Sequence, residues 1–497
     1  METFQLLLNG FAVALQPLNM LFALAGCMIG TMVGVLPGIG PSAATAILIP
    51  VTFVLAPTPA IIMLAAIYYG AMFGGTITSV LVNVPGEAAS AVTCLDGYQM
   101  ARNGRAGAAL AIAAIGSFIG GSVAVAALVV IALPLSTLAL RFGPPEFFAL
   151  MLIGLTMVTG LAGRSIVRAL ISAAAGLLFA MIGIDPVQGA PRFTFGITEL
   201  FGGLNIVPVI MGLFGISEIL LNVESPARQA LQTKMSTLVP TREDLRRSTG
   251  PILRGTGIGL FLGLVPGIGT MVPTFISYTV EKRISKTPEK FGTGMVEGVA
   301  GPETANNAYA NGAMIPLFTL GIPASPTLAI LMGALMMNGL LPGPLLFQEH
   351  SEFVWAVIAS FVVGNVMLLI LNLPLIPMWV AVLKIPYSIL FALILGFAVV
   401  GAYSVDSSAF GVGVMMAFGL LGYIFRKLDM PLAPFALTLI LGPMMEKALR
   451  QSLEMSGGEL SVFYTRPLTA ALLAIAVIIL IINTAPIFSK VKADTEV

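Results

Sequence analysis

The chain has 497 residues, 57% of them hydrophobic and 9% charged, with a formal net charge of +1. Soluble domains carry roughly 25% charged residues, so this composition excludes a soluble globular protein, and the charge balance offers no basic patch for nucleic acid. Continuous, non-alternating apolar runs also exclude a transmembrane β-barrel. What remains is an all-α polytopic membrane protein with about 11–14 membrane segments, some of them partial, at roughly 20 apolar residues per crossing.

The N-terminal METFQLLLNGFAVALQ lacks the Lys/Arg region of a cleavable signal. The first long apolar stretch is interrupted at Gly34–Pro41 by GVLPGIGP, which puts three glycines and two prolines where one helix is expected. After the uncharged FVLAPTPA (Phe53–Ala60), a second break lies in GGTITSVLVNVPGEAAS (Gly74–Ser90), followed by the basic ARNGRAG with Arg102 and Arg105. Apolar runs such as Ala108–Leu133 continue to GRSIVR (Arg164, Arg168) and to GIDPVQGAPRFTFG (Gly183–Gly196). The polar stretch Arg228–Arg254 divides the chain and is read as its linker.

Beyond it GLVPGIGT (Gly263–Thr270) nearly repeats the first break, and the basic EKRISKTPEK, with Lys282 to Lys290, follows at once. EGVAGPETANNAYANG (Glu297–Gly312) and a break at IPAS lead to the uncharged NGLLPGP (Asn338–Pro344), and then to the runs Phe353–Leu373, Leu390–Val400 and Leu468–Ile482. Cys27 and Cys94 sit in apolar surroundings and read as inert packing residues. His350, the one histidine, has no second ligand near it for a metal. GIGPSA has the form of a dinucleotide fingerprint but lacks the surrounding βαβ unit, and no nucleophile–base set, paired intramembrane aspartates or voltage-sensor spacing appears, so no enzyme is expected.

Gly30, Gly34, Pro37, Gly38 and Gly40 match Gly259, Gly263, Pro266, Gly267 and Gly269 at one offset. GAM and VPGEAASAV (Gly70–Val92) resemble GAM and IPASPTLAI (Gly312–Ile330) with a gap between the pieces. Lys and Arg mark cytoplasmic loops, and the basic loops fall at opposite places in the two copies, so the copies are expected to be inverted in the membrane, as in secondary transporters. Arg254 and Lys282 are both expected on the cytoplasmic side, yet too few residues separate them for two crossings of roughly 20 residues each. The expectation is a re-entrant hairpin with VPGIGT at its tip and, by inversion, a second with LPGIGP at its tip. The expected units are 1–223 (hairpin elements about 21–105, scaffold helices about 106–223), a cytoplasmic linker 224–254, and 255–497 (hairpin elements about 255–345, scaffold helices about 346–497). A proline frees the carbonyl four residues before it, which points to Val33, Leu81, Leu262 and Thr319 as cation ligands, joined by the amides of Asn306 and Asn307. The helix starts after the tips favour an anion, with Ser42, Thr45, Thr270 and Thr274 nearby. Glu87 and Glu303 read either as functional intramembrane carboxylates or as groups facing water at a hairpin mouth.

GVLPGIGPSAATAILIP, YYGAMFGGTITSVLVNVPGEAASAVTCLDGYQMARNGRAGAAL, IGIDPVQGAPRFTFG and GVAGPETANNAYANGAMIPLFTLGIPAS together resemble the large membrane subunit of the tripartite tricarboxylate transporters, over essentially the whole chain. The resemblance implies a bacterial inner-membrane carrier working with a small four-helix membrane subunit and a periplasmic solute-binding protein. Import of a tricarboxylate or related carboxylate would be driven by Na⁺ or H⁺, with no cofactor; the basic tail, Lys490 and Lys492, puts the C-terminus on the cytoplasmic side. The family pattern falls on Gly38, Gly40, Asn83, Pro85, Gly86, Ser90, Asp96 and Gly97, and on Pro302, Asn306, Asn307, Gly321, Pro323 and Ser325; Ala324 departs from it, standing where glycine is usual. With the residues above, the expected substrate site comprises Gly38, Gly40, Ser42, Thr45, Asn83, Gly86, Ser90, Gly267, Gly269, Thr270 and Ser325. Asp185 and Arg192 are expected either to dock the binding protein or to form a structural turn. By analogy with other carriers the motion is expected to be of elevator type; a channel or a stand-alone carrier for small organic anions is the alternative.

Overall fold

The computed structural model describes residues 2–36, 40–139, 142–157, 165–185, 189–224, 240–265, 268–382 and 387–495. The first half begins α1 (Glu2–Ala14), α2 (Pro17–Val35), α3 (Pro41–Leu48), α4 (Pro57–Val82), α5 (Thr93–Arg102) and α6 (Ala106–Ala139). It continues with α7 (Pro144–Met157), α8 (Ile166–Ala180), a short antiparallel pair β1 (Gly183–Ile184) and β2 (Pro191–Arg192), α9 (Ile206–Ile210) and α10 (Ser217–Glu224). The second half has α11 (Arg242–Gly263), α12 (Met271–Ile284), α13 (Glu297–Gly312), α14 (Met314–Leu320) and α15 (Pro326–Met337), then α16 (Pro344–Glu349) and α17 (Ser351–Asn372). Of the helices that follow, Leu432–Met455 is called here the arginine-bearing helix. Among the described residues, six helices are long and apolar enough to cross a bilayer, and shorter apolar helices of 10–17 residues stand beside them. The chain is a multi-pass membrane protein.

Prolines set the helix starts: Pro17, Pro41, Pro57 and Pro326 each occupy the first helical position, where no N–H is needed. Two helices form the centre. From Pro59 to Leu81 every residue of α4 is buried, and so is every residue of α13 from Gly298 to Gly312. An apolar helix buried on all faces has no lipid-facing side to show as amphipathicity, and α13 reaches the interior although it is rich in Asn, Glu and Thr.

α2 packs on α4, and α11 on α13, through glycines spaced by four. A Cβ at Gly26, Gly30 or Gly34 would lie 2.5, 2.5 or 2.3 Å from the carbonyl oxygens of Met63, Ile67 and Ala71. At Gly255, Gly259 and Gly263 it would lie 2.4, 2.3 and 3.0 Å from those of Gly301, Ala305 and Tyr309. Small residues at this spacing let membrane helices approach backbone to backbone. This register pairs Gly74 with Gly312, and at the helix ends Asn83 with Gly321 and Pro85 with Pro323.

α11 and α12 form an antiparallel hairpin joined through 264–270, its open end tied by a bidentate pair from Arg254 to Glu281 at 2.8 and 2.6 Å. The stretch 224–254 is not all connector, because α11 starts at Arg242, within it. Thr241 caps the helix and Asp244 closes a capping box with it. Burial alone would raise the Asp244 carboxyl, but hydrogen bonds from Arg105 and Thr241 outweigh it and hold it below its ordinary range.

The glycine register predicts opposite outcomes for two glycines on one helix. Gly259→Ala is expected to lower the thermal unfolding midpoint of the detergent-purified protein, since overpacking costs about 1–3 kcal/mol. Gly257, exposed with nothing within 4 Å of its Cβ position, is expected to accept Ala with no loss, and at most about 1 kcal/mol of helix propensity gained. Equal midpoints would contradict the register.

Candidate functional site

The polar interior lies where the helix breaks of one half meet the central helix of the other. α4 ends at Asn83 with φ 58°, and α14 ends at Gly321 with φ 70°; both are left-handed caps followed two residues on by proline. At Gly321 the N–H groups of Gly321 and Ile322 bond the carbonyls of Leu317 and Pro316, which closes the helix end internally. After the second cap, Ser325 starts α15, its hydroxyl accepting the Leu328 N–H at 3.3 Å. After the first cap, Glu87 begins a short 3₁₀ turn, Ala88–Ala91. The two breaks differ in exposure: Asn83, Pro85 and Ala88 are exposed, whereas Gly321–Ser325 are buried.

Two carboxylates are enclosed here. Glu303 is 1% exposed and Glu87 6%, so neither faces water at a hairpin mouth. Each is held by the other half of the chain. Glu87 Oε1 accepts the Asn306 Nδ2 amide at 2.7 Å. Glu303 Oε2 accepts the Thr76 hydroxyl at 2.5 Å, and its Oε1 accepts the hydroxyl of Thr93. Asn307 Nδ2 donates to Ser117 Oγ at 2.7 Å, and Ser117 in turn donates to the Glu303 carbonyl at 3.3 Å. Thr76 and Ser117 also line a cavity of about 10 Å³, close to the room one water needs. Among the described residues, neither carboxylate has an ion-pair partner, and the Oδ1 atoms of Asn306 and Asn307 are buried without a hydrogen bond. A buried carboxylate without a cation costs several kcal/mol, so this donor set is built around a charge or a proton, and an apolar core would not need it.

The other anticipated residues fall as follows. Ser42 meets Thr327 across the halves, hydroxyl to hydroxyl at 2.8 Å, so the first tip reaches the start of α15. Ser90 bonds Ser79 at 2.9 Å beside Glu87. Gly86 is pressed onto the first tip, where a Cβ would lie 2.0 Å from the Gly34 carbonyl. Gly269 has φ 77° and lies beside the Tyr309 hydroxyl, which donates to the Ala324 carbonyl at 2.9 Å. Gly40 caps α3 with nothing near its Cβ position, and Thr270 caps α12 without a side-chain bond. Thr45 and Thr274 turn their hydroxyls back to the carbonyls of Pro41 and Met271, and Thr319 does the same to Ile315. Gly38 and Gly267, with Pro37 and Pro266, lie outside the described residues.

Two expectations change. The carbonyls of Val33 and Leu262 are not released by the prolines: they accept the N–H groups of Leu36 and Val265, both at 3.1 Å, because the last turn tightens to 3₁₀ bonding. Asp185 and Arg192 do not stand free for docking. Arg192 pairs with Asp185 at 3.5 Å and Glu446 at 2.8 Å, while Arg450 pairs with the same two acids at 3.0 and 2.7 Å. This ring fastens the β1–β2 hairpin to the arginine-bearing helix. Thr76, one of the polar residues of the second break, joins the site, and Thr93, Ser117, Tyr309 and Thr327 complete it without a signal of their own beyond the density of Thr, Asn and Tyr within apolar segments.

Residues 20–437 match the family described as the tripartite tricarboxylate transporter TctA family. An uncharacterized 52.8 kDa protein in the TAR-I ttuC' 3'region of Agrobacterium vitis is 46% identical over 478 residues, which cover 96% of this chain and 95% of that protein. An uncharacterized protein in the TAR-II ttuC' 3'region of the same organism is 44% identical over 228 residues, 46% of this chain and 94% of that protein. No solved structure matches the chain.

The hydroxyl clamp on Glu303 has a measurable weight. Thr93→Val and Thr76→Val each remove one donor and are expected to cost about 1–3 kcal/mol of stability, read as a lowered unfolding midpoint in detergent. Thr93→Ser, which restores the hydroxyl, is expected to recover most of the loss. A valine variant as stable as the parent would show that the clamp is idle.

Proposed function

The chain belongs to the tripartite tricarboxylate transporter TctA family, and from that premise we propose that it is the large membrane subunit of a carrier importing a tricarboxylate or related carboxylate across the bacterial inner membrane. In this reading it works with a small membrane subunit and a periplasmic solute-binding protein, and a Na⁺ or H⁺ gradient drives uptake. The two halves are inverted repeats, the α11–α12 hairpin is re-entrant, and the hairpin elements move against a scaffold in an elevator motion. The C-terminus is cytoplasmic.

The observation that carries the reading is the unequal exposure of two corresponding breaks. Asn83–Glu87 and Gly321–Ser325 share a left-handed cap and a proline, yet Asn83 and Pro85 are exposed in the first while every residue of the second is buried. A carrier needs two access routes that are never open together, and one closed copy beside one open copy is what such a cycle uses. The contacts agree with an inverted pair: α3, after the first tip, packs on α15, after the second break, and α12, after the second tip, packs on the Ala88–Ala91 turn. The anion is held by helix starts and by the hydroxyls of Ser42, Ser325 and Thr327, without a fixed Lys or Arg, which leaves binding weak enough for release. Asn306 and Asn307 serve the coupling ion; Asn83, Gly86 and Ser90 serve the substrate.

Uptake of labelled tri-, di- and monocarboxylates into proteoliposomes containing the partner proteins tests this. The expected result is saturable uptake that requires the binding protein and an imposed gradient; non-saturating leak without a gradient would contradict it. Asn83→Gly keeps the left-handed backbone and removes only the amide. It and Asn307→Ala are each expected to cut uptake about tenfold or more, the weight of a lost hydrogen bond to a charged group, with normal membrane insertion. Near-normal uptake by both would remove these amides from the site.

A further inference from the structure

We propose that Glu87 carries a proton between the two halves of the chain while Glu303 stays ionised, so that Glu87 is the group that loads and releases the coupling ion of the carrier. The assignment of coupling rests on the transport reading; the protonation itself does not.

Two features separate the two acids. Both oxygens of Glu303 already accept hydroxyl hydrogen bonds, from Thr76 and Thr93, and donors on both oxygens suit the ionised form. Glu87 has one side-chain donor, the Asn306 amide, besides its capping contact to the short turn it begins. The same Asn306 side chain keeps its Oδ1 buried and without a partner. A protonated Glu87 supplies the missing donor to that neighbourhood; an ionised Glu87 leaves a buried acceptor next to a buried anion, at a cost of about 1–3 kcal/mol for the unmade bond alone. Space favours a proton over a metal cation. Glu87 lies so close over α4 that a Cβ at Gly75 would lie 2.7 Å from its Cγ. A sodium ion would need several oxygens drawn around it; a proton needs none.

Among the described residues, the surrounding groups give Glu87 no counter-charge. Glu303 on α13 and Tyr68 on α4 lie within its electrostatic reach, and Cys94 on α5 lies within that of Glu303. On α12, Tyr278 is bonded to Asp96 and Glu281 to Arg254; Asp96 on α5 accepts the amides of Gly292, Gly294 and Met295; Glu297 on α13 is paired with Arg247. Two like charges at close range favour a single shared proton over two anions. Binding is a plain proton transfer: the carboxylate takes one proton from the side to which it is open and returns it to the other. Asn83, Pro85 and Ala88, exposed on either side of the buried Glu87, give that proton a path.

Infrared difference spectroscopy of the full-length protein in lipid vesicles reads the protonated carboxyl directly, through its carbonyl stretch. At neutral pH the expected result is a protonated-carboxyl band that is unchanged by added NaCl, lost in E87Q and kept in E303Q. A band unaffected by E87Q, lost in E303Q, or abolished by Na⁺ overturns the proposal; the Na⁺ comparison on the parent protein needs no variant. If E87Q fails to insert, N306A serves instead. Removing the Oδ1 acceptor is expected to shift the band toward a more weakly hydrogen-bonded carboxyl, and an unshifted band overturns the proposal. A band of the expected behaviour without uptake of any carboxylate overturns the transport reading and leaves the proton site standing. Uptake without the band does the reverse.

Discussion

Lipid offers no hydrogen bonds, so a helix that stops at membrane depth must have its loose backbone groups satisfied by protein. This chain stops helices inside its apolar segments repeatedly, and most of its interior design answers that requirement. Leu36 and Val265 fold their N–H groups back onto the last turns of α2 and α11. Gly321 and Ile322 close α14 onto its own carbonyls. The breaks are then surrounded by α4 and α13, whose burial on all faces gives the irregular backbone a protein environment.

Bringing helices this close needs backbone contact, and the two glycine ladders provide it. Because each ladder meets carbonyls spaced by four on the central helix, no side chain separates α2 from α4 or α11 from α13. The breaks at their ends are thereby fixed in relation to the central helices. That placement puts Glu87 under Asn306 and Glu303 under Thr76 and Thr93. The carboxylates are thus the points at which each half of the chain touches the other's polar core, and a change of charge there acts on the fit between halves.

Much of this was legible in the sequence and some was not, for physical reasons. Composition gave the membrane class, and Pro/Gly spacing located the breaks, because both depend on residues close together in the chain. Identical letters favour matching Gly70 to Gly312, whereas the glycine ladders set Gly74 at the level of Gly312, a register visible only in packing. Glu87 and Glu303 stayed undecided because their partners lie some two hundred residues away. Asp185 and Arg192 read either as docking residues or as a structural turn because Glu446 and Arg450, which pair with them, lie far along the chain. Val33 and Leu262 were expected to be free because proline removes one donor; the 3₁₀ bond that replaces it is a matter of conformation.

The central claim is that the two corresponding breaks open to opposite sides and never together. Single cysteines at Asn83 and Ser325, in a chain with Cys27 and Cys94 replaced, can be challenged with a membrane-impermeant maleimide from each face of sealed vesicles. The account predicts labelling at Asn83 from one side only and protection at Ser325, with the pattern reversing as a transported carboxylate and its gradient are supplied. Simultaneous labelling of both positions from opposite sides, unchanged by substrate, would describe a continuous pore and contradict it.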